Sequence, residues 1–240
     1  RVADEYKDYE TDRAHRPYRP VPRGVIRLRE LAWMAVAAGG LQALLTLWLA
    51  PALLWALLAV WGYMALMRWE FGVGGWLHGQ PLLYMLSHMV VLPLIFVYAT
   101  ACVWLAAGEH APAGLGWLLA TAYANGVVFE VGRKLRAPID EEPGVETYSR
   151  LWGIPRATAV WWVALALAGV CATLAGRAIG SWELPGVVAS VGAVTAAILG
   201  VRFIRSPMRG SARLEQLSAG WLVASYGAVG ALPTALSFGG

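Results

Sequence analysis

Seven stretches of the chain are apolar over lengths that suit a helix crossing a bilayer: residues 31 to 50, 52 to 67, 83 to 106, 113 to 132, 157 to 176, 184 to 201 and 216 to 236. A hydrocarbon core of about 30 Å takes roughly 20 helical residues, so each run predicts one membrane-crossing helix. The second run is the shortest, and Pro51 separates it from the first. The runs lie too close together for a soluble domain to fit between them, and the pattern predicts a single membrane domain over residues 1–240. Its fold class is all-α, a polytopic transmembrane helix bundle.

Alternation of seven spans puts the segment before residue 31 on the same side as the loops near 68 to 82, 133 to 156 and 202 to 215. These four segments hold 18 of the 19 Lys and Arg, and Arg177 alone falls on the other side. Basic residues concentrate in cytoplasmic loops, so the charged segments at 1–30 and 133–156 are expected to face the cytoplasm.

Composition agrees with the pattern. The chain is 58% hydrophobic and 14% charged, with mean hydropathy +0.55, whereas soluble domains have about 45–50% apolar and about 25% charged residues. An ordinary soluble domain is excluded. The net charge of +4 follows from the positive-inside bias, and no nucleic-acid partner is implied. Cys102 and Cys171 are far apart and form no metal or disulfide spacing. The chain opens on Arg1 instead of Met and directly on a charged segment, so further helices are expected ahead of it in the native protein.

The candidate chemistry lies in the charged loops. All four aspartates, Asp4, Asp8, Asp12 and Asp140, fall in two of them, with Lys7 and Lys134 alongside. A helix over the first segment would gather Asp4, Glu5, Asp8 and Asp12 in one stripe about 100° wide. Like charges at i, i+4 destabilise a helix, so the stripe calls for a cation. Oxygen ligands of this kind suit Mg²⁺, which takes one or two carboxylates and fills its shell with substrate phosphates. Arg13, Arg16, Arg19 and Arg23 follow, spaced by Pro17, Pro20 and Pro22. Arginine's planar fork matches a phosphate, and an acidic stripe beside a stiff basic loop is the composition of a metal–diphosphate site. The plainer alternative is a solvated acidic helix face. The second segment carries Glu130, Arg133, Lys134, Arg136, Asp140, Glu141 and Glu142. Glu130 is expected to pair with Arg133 and Lys134 at i+3 and i+4, and a salt-bridged helix end is its plainer reading.

These residues resemble the UbiA-type intramembrane prenyltransferases. The family's first signature, N-D-x-x-D-x-x-x-D, is matched in register by Asp4, Glu5, Asp8 and Asp12, two of the positions conservatively, and Arg19, Pro20 and Gly24 follow as its R-P-x-x-x-G segment. Asp140, Gly144 and Thr147 meet the end of the second signature, while Arg133 and Arg136 stand where the family has acidic residues. The resemblance covers essentially the whole chain. It implies a nine-helix complete protein with two helices ahead of Arg1.

The resemblance also implies Mg²⁺-dependent transfer of a prenyl group from an allylic diphosphate to a hydrophobic or aromatic acceptor among membrane lipids. It implies Asp4, Glu5, Asp8, Asp12 and Asp140 as metal ligands, with Asp8, Asp12 and Asp140 catalytic. Arg19, Arg68, Arg133, Lys134 and Arg136 would bind the diphosphate. Arg133 and Arg136, in place of carboxylates, suggest that guanidinium groups substitute for part of the second metal site. The expected setting is a multi-pass protein of a bacterial or archaeal inner membrane.

Within the apolar runs, His88, Asn125 and Tyr63 are candidates for acceptor or carbocation contact, because intramembrane polar groups are functional hypotheses by default. Interhelical hydrogen bonds and packing are the competing explanations. Rival functions are a phosphotransferase acting on a lipid-linked phosphate and a noncatalytic lipid-binding or transport protein. The segment DRAHRP resembles the branch that uses a phosphoribosyl donor. A transporter would place ionisable groups near the midplane, whereas this chain collects them at one face.

Overall fold

A computed structural model describes residues 2–208 and 210–231, except the side chains of Ala3, Asp4 and Ala231. The described chain is all-helical, with no strand. Two short helices, α1 (Val2–Lys7) and α2 (Tyr9–His15), precede α3 (Leu28–Leu49) and α4 (Leu53–Arg68). A short helix α5 (Gly74–His78) leads into α6 (Pro81–Met89) and α7 (Val91–Trp104). Then come α8 (Leu115–Arg133), α9 (Tyr148–Trp152), α10 (Ile154–Ala178), α11 (Glu183–Arg205) and α12 (Ser211–Tyr226), the last continued by a π-helical turn over Gly227–Ala231.

Every apolar run of the sequence thus contains a helix, and among the described residues four helical stretches are long and apolar enough to cross a membrane: Leu28–Leu49, Pro81–Trp104, Ile154–Ala178 and Glu183–Arg205. The breaks follow local chemistry. α3 ends at Ala50 because Pro51 disfavours helical geometry in the residue before it. α6 and α7 meet at Val90 because Pro93 has no N–H for the Met89 carbonyl. At the start of α3, the Glu30 side chain accepts the Arg27 backbone N–H at 2.9 Å and supplies a cap.

The chain divides into two compact units. The first comprises Arg1–Tyr84, Val97–His110 and Glu142–Gly144, and the second Met85–Phe96, Ala111–Glu141 and Val145–Gly240. In the first unit α1 packs on α3 and α4, which pack on each other. Leu53 and Leu57 turn the inner face of α4 fully inward. The outer face of α3 is apolar and open, with Trp48 82% and Leu44 67% exposed, a surface that lipid satisfies and water does not.

In the second unit α8 packs against α10 and α12, and α11 against α10 and α12. Val128, Val131, Trp161, Leu165, Phe203 and Leu214 fill the centre. Close approach depends on missing side chains: a Cβ on Gly192 would lie 2.5 Å from the Trp221 ring, and one on Gly200 2.6 Å from Trp162. Small residues substitute here for a hydrophobic driving force that lipid does not provide.

Candidate functional site

The first charged segment folds as two helices instead of one. Asp8 stands between them at φ −93° and ψ 1°, in the sparsely allowed bridge region, so the acidic stripe that a continuous helix would carry is divided. Asp12 is 2% exposed. Arg19 Nη1 donates to its Oδ2, and Arg16 Nη1 to its Oδ1 at 3.5 Å. A buried carboxylate left unpaired is strongly destabilising, and the proline-spaced loop after α2 delivers both cations to it.

Arg16 reaches a second carboxylate. Its Nε lies 3.1 Å from Glu142 Oε2, and the Tyr18 hydroxyl donates to Glu142 Oε1 at 3.2 Å. Glu142 belongs to the loop between α8 and α9, yet this tip is part of the first compact unit. Gly144 makes the approach possible: its φ is +74°, and a Cβ would stand 2.6 Å from the His15 ring. Arg16 and Glu142, 126 residues apart in sequence, therefore pair within the first unit.

A further cluster in the same unit forms between α4 and α5. Glu70, Phe71 and Gly72 are all left-handed, at φ 50°, 56° and 72°, a conformation costing a non-glycine residue roughly 1–2 kcal/mol. The turn folds the Glu70 carboxylate over Gly74, where any Cβ would overlap it. That carboxylate receives Lys7 Nζ on one oxygen and lies 2.9 Å from His78 Nε2 on the other. Lys7 also donates to the Tyr84 hydroxyl at 3.0 Å, and the His78 and Tyr84 rings stack at 5.4 Å. The Lys7 hydrogen bond, helped by the charges of Lys7 and His78, holds the Glu70 carboxyl below the ordinary value despite its burial. Burial works to lower the Lys7 ammonium, but bonds to Glu70 and Tyr84 outweigh it, and its pKa is raised.

In the second unit, Glu130 at the end of α8 holds Arg133 Nη2 at 2.6 Å and Lys134 Nζ at 3.0 Å, the expected i+3 and i+4 pairs. The Lys134 ammonium also sits 5.3 Å from the Tyr148 ring centre. Arg136 pairs with Glu215 of α12 at 3.1 Å, and its backbone N–H donates to Ser149 Oγ at 2.8 Å. Asp140 is exposed and accepts from Ser211 Oγ. Thr147, the N-cap of α9, donates to Glu141 Oε1 at 2.5 Å. Glu141 Oε2 is buried and has no hydrogen-bond partner among the described residues.

The remaining sequence candidates have distinct surroundings. Asp4's side chain lies outside the described residues; Glu5 is buried, and Asp8 is exposed. Arg68 is exposed at the end of α4. Tyr63 packs edge-on against Phe71 at 5.5 Å. His88 Nδ1 is 3.4 Å from Ser87 Oγ. Asn125 is fully buried, donating to Ser225 Oγ at 2.9 Å and accepting from Trp221 Nε1 at 2.7 Å. Its amide holds α8 to α12. An apolar groove of 480 Å³ on the α3–α4 face is lined by Ala35, Val36, Gly39, Gly40, Ala43 and Trp61.

Lys7, Tyr18 and Glu70 have no site role assigned from sequence, and Arg16 and Glu142 stand there only as members of the charged segments. Arg16 carried a signal, standing in the arginine–proline run; Glu70 carried none, because the left-handed turn that aims it is not encoded by a glycine at its own position. Among the described residues, no three of His, Cys, Asp and Glu gather into a ready metal site. Comparison with protein-family models, curated proteins and solved structures finds no match.

Proposed function

We propose that the chain is a multi-pass membrane prenyltransferase that takes an allylic prenyl diphosphate as donor and a hydrophobic or aromatic molecule as acceptor. The observation that carries the reading is the meeting of Asp12, Arg16 and Arg19 with Glu142 in one compact unit. Carboxylates and guanidinium groups alternate there at the edge of an apolar fold. Such an arrangement suits a diphosphate headgroup whose tail remains in the bilayer.

In this reading seven helical spans cross the membrane (α3, α4, α6 with α7, α8, α10, α11 and α12), and the charged loops face the cytoplasm. Mg²⁺ fits as a cation that arrives with the diphosphate. One or two carboxylates suffice once phosphate oxygens complete the shell, with exposed Asp8 the first candidate and Asp12, whose oxygens hold Arg19 and Arg16, implied by the resemblance. Asp4, Glu5 and Asp140 are the further carboxylates implied by the resemblance. When bound, the metal supplies neutralisation of charge on the leaving diphosphate.

The chain's own cations do the same work from fixed positions. Arg19 is the cation that binds and orients the phosphates in the first unit, and Arg68, Arg133, Lys134 and Arg136 are the further cations implied by the resemblance; preorganised cations in a water-poor site stabilise developing charge strongly. In the step itself the allylic C–O bond breaks and its electron pair leaves with the diphosphate. The acceptor forms the new bond to that carbon and releases a proton. Arg133 and Arg136 stand for part of a second metal in this scheme.

The test is binding and turnover of labelled allylic diphosphates by the purified chain, with Mg²⁺ and with chelator, alongside Asp8→Ala and Asp12→Asn. Mg²⁺-dependent binding that both variants lose supports the reading. A folded protein that binds no chain length of diphosphate refutes it.

A further inference from the structure

An anion site needs donors that become available when the ligand arrives, and in the first charged segment three donors, Arg16, Tyr18 and Arg19, already hold carboxylates of this chain. Arg19 and Arg16 close on Asp12, while Arg16 and Tyr18 close on Glu142. The two carboxylates are not equivalent. Asp12 has 2% of its side chain exposed and Glu142 has 49%. A buried carboxylate stripped of its cations has no water to turn to. Glu142 does, and an exposed ion pair contributes little that must be given up.

The donors around Glu142 have the shape of an anion cradle. The Tyr18 hydroxyl lies 3.2 and 3.4 Å from the two Glu142 oxygens, and Arg16 Nε approaches one of them at 3.1 Å. Arg16 is held to Asp12 only by the longer 3.5 Å contact, so it can leave Asp12 to Arg19. The carboxylate is delivered by the Pro143–Gly144 turn, whose glycine lets the His15 ring pack against the backbone.

We infer that Glu142 is an internal stand-in for a diphosphate: it occupies Arg16 and Tyr18 in the free protein, and the incoming diphosphate displaces it and takes both donors. The inference rests on the diphosphate reading above and deepens it. Arg16 and Tyr18 join Arg19 as headgroup ligands. Glu142 weakens binding by competing, and it releases the loop tip that carries Gly144 when ligand binds.

The experiment measures the dissociation constant of inorganic pyrophosphate and of farnesyl diphosphate, each with Mg²⁺, on the full chain in detergent. Glu142→Gln is expected to bind about two- to fivefold more tightly. Gly144→Ala, which drives the loop tip from His15 without changing charge, is expected to move the constant in the same direction. Glu146→Gln removes the same charge from an exposed neighbour that makes no ion pair among the described residues, and is expected to leave it unchanged. Tightening in Glu146→Gln equal to that in Glu142→Gln reduces the effect to net charge and overturns the inference. So does an unmoved constant in Glu142→Gln when wild type binds. Wild type that binds neither ligand overturns the parent reading and this inference with it.

Discussion

A methyl group added at Gly132 on α8 meets a closer neighbour than at any other described glycine. A Cβ there would overlap Ser218 Oγ, stand 2.7 Å from Ser218 Cβ, and come within 3.2 Å of Trp161 Nε1. Trp161 is fully buried and donates its indole N–H to Ser218 Oγ at 2.9 Å. Gly132→Ala must push α12 from α8 or turn Ser218 away, and overpacking of this kind costs about 1–3 kcal/mol. Losing the indole hydrogen bond adds about 0.6 kcal/mol, the average for interhelical bonds in membrane proteins. Ser218→Gly loses the same bond and about 0.5 kcal/mol of helix propensity, yet it clears the space. The double variant should therefore be no worse than Ser218→Gly alone, with a coupling energy of about 2 kcal/mol. The assay is reversible unfolding in mixed detergent micelles followed by far-ultraviolet circular dichroism, on wild type, both single variants and the double. Additivity within about 0.5 kcal/mol, or an unweakened Gly132→Ala, refutes the packing argument.

Three further outcomes are expected. The Glu70 pKa is lowered in the fold, so its ion pairs stabilise fully above the ordinary glutamate value of 4.5 and are lost as pH falls below it; unfolding measured against pH should show this acid limb in wild type and lack it in Glu70→Gln. Gly74→Ala should destabilise wild type, because its methyl group overlaps the Glu70 carboxylate, and should be milder in the Glu70→Ala background when both are measured by the same unfolding assay. Asn125→Ala should cost about 0.6–1.7 kcal/mol per lost interhelical bond and leave diphosphate affinity unchanged, as checked by unfolding beside ligand binding.

How much of this was legible in the sequence depends on the range over which each feature is encoded. The helices are local: each apolar run folds as helix, and Pro51 and Pro93 mark breaks by what proline lacks. The Glu130 pairs are equally local, since i+3 and i+4 neighbours meet on any helix. The acidic stripe is different. Its geometry assumed one continuous helix, and the chain turns at Asp8, separating α1 from α2. Arg16–Glu142, Arg136–Glu215 and Asp140–Ser211 join residues at least 71 positions apart, and nothing in the local pattern names one partner from the other. Glu70 was the least legible, because its carboxylate is aimed by two non-glycine residues in a left-handed turn that sequence preference argues against.

The polar groups of the helices and those of the loops consequently answer to different demands. Inside the second unit, the buried Asn125 amide is held by Ser225 and the Trp221 indole, and the Trp161 indole by Ser218. Their substitution moves stability. In the charged loops the pairs are also satisfied, but by partners of unequal burial, so one partner can exchange while the other stays. Exposed Glu142 and buried Asp12, which share Arg16, are such a pair. Unequal burial within an ion-pair cluster makes exchange with an incoming anion cheap at one carboxylate and costly at the next. A ligand of two linked phosphates can use that asymmetry, taking cations from the exposed carboxylate while the buried one keeps the cradle in place.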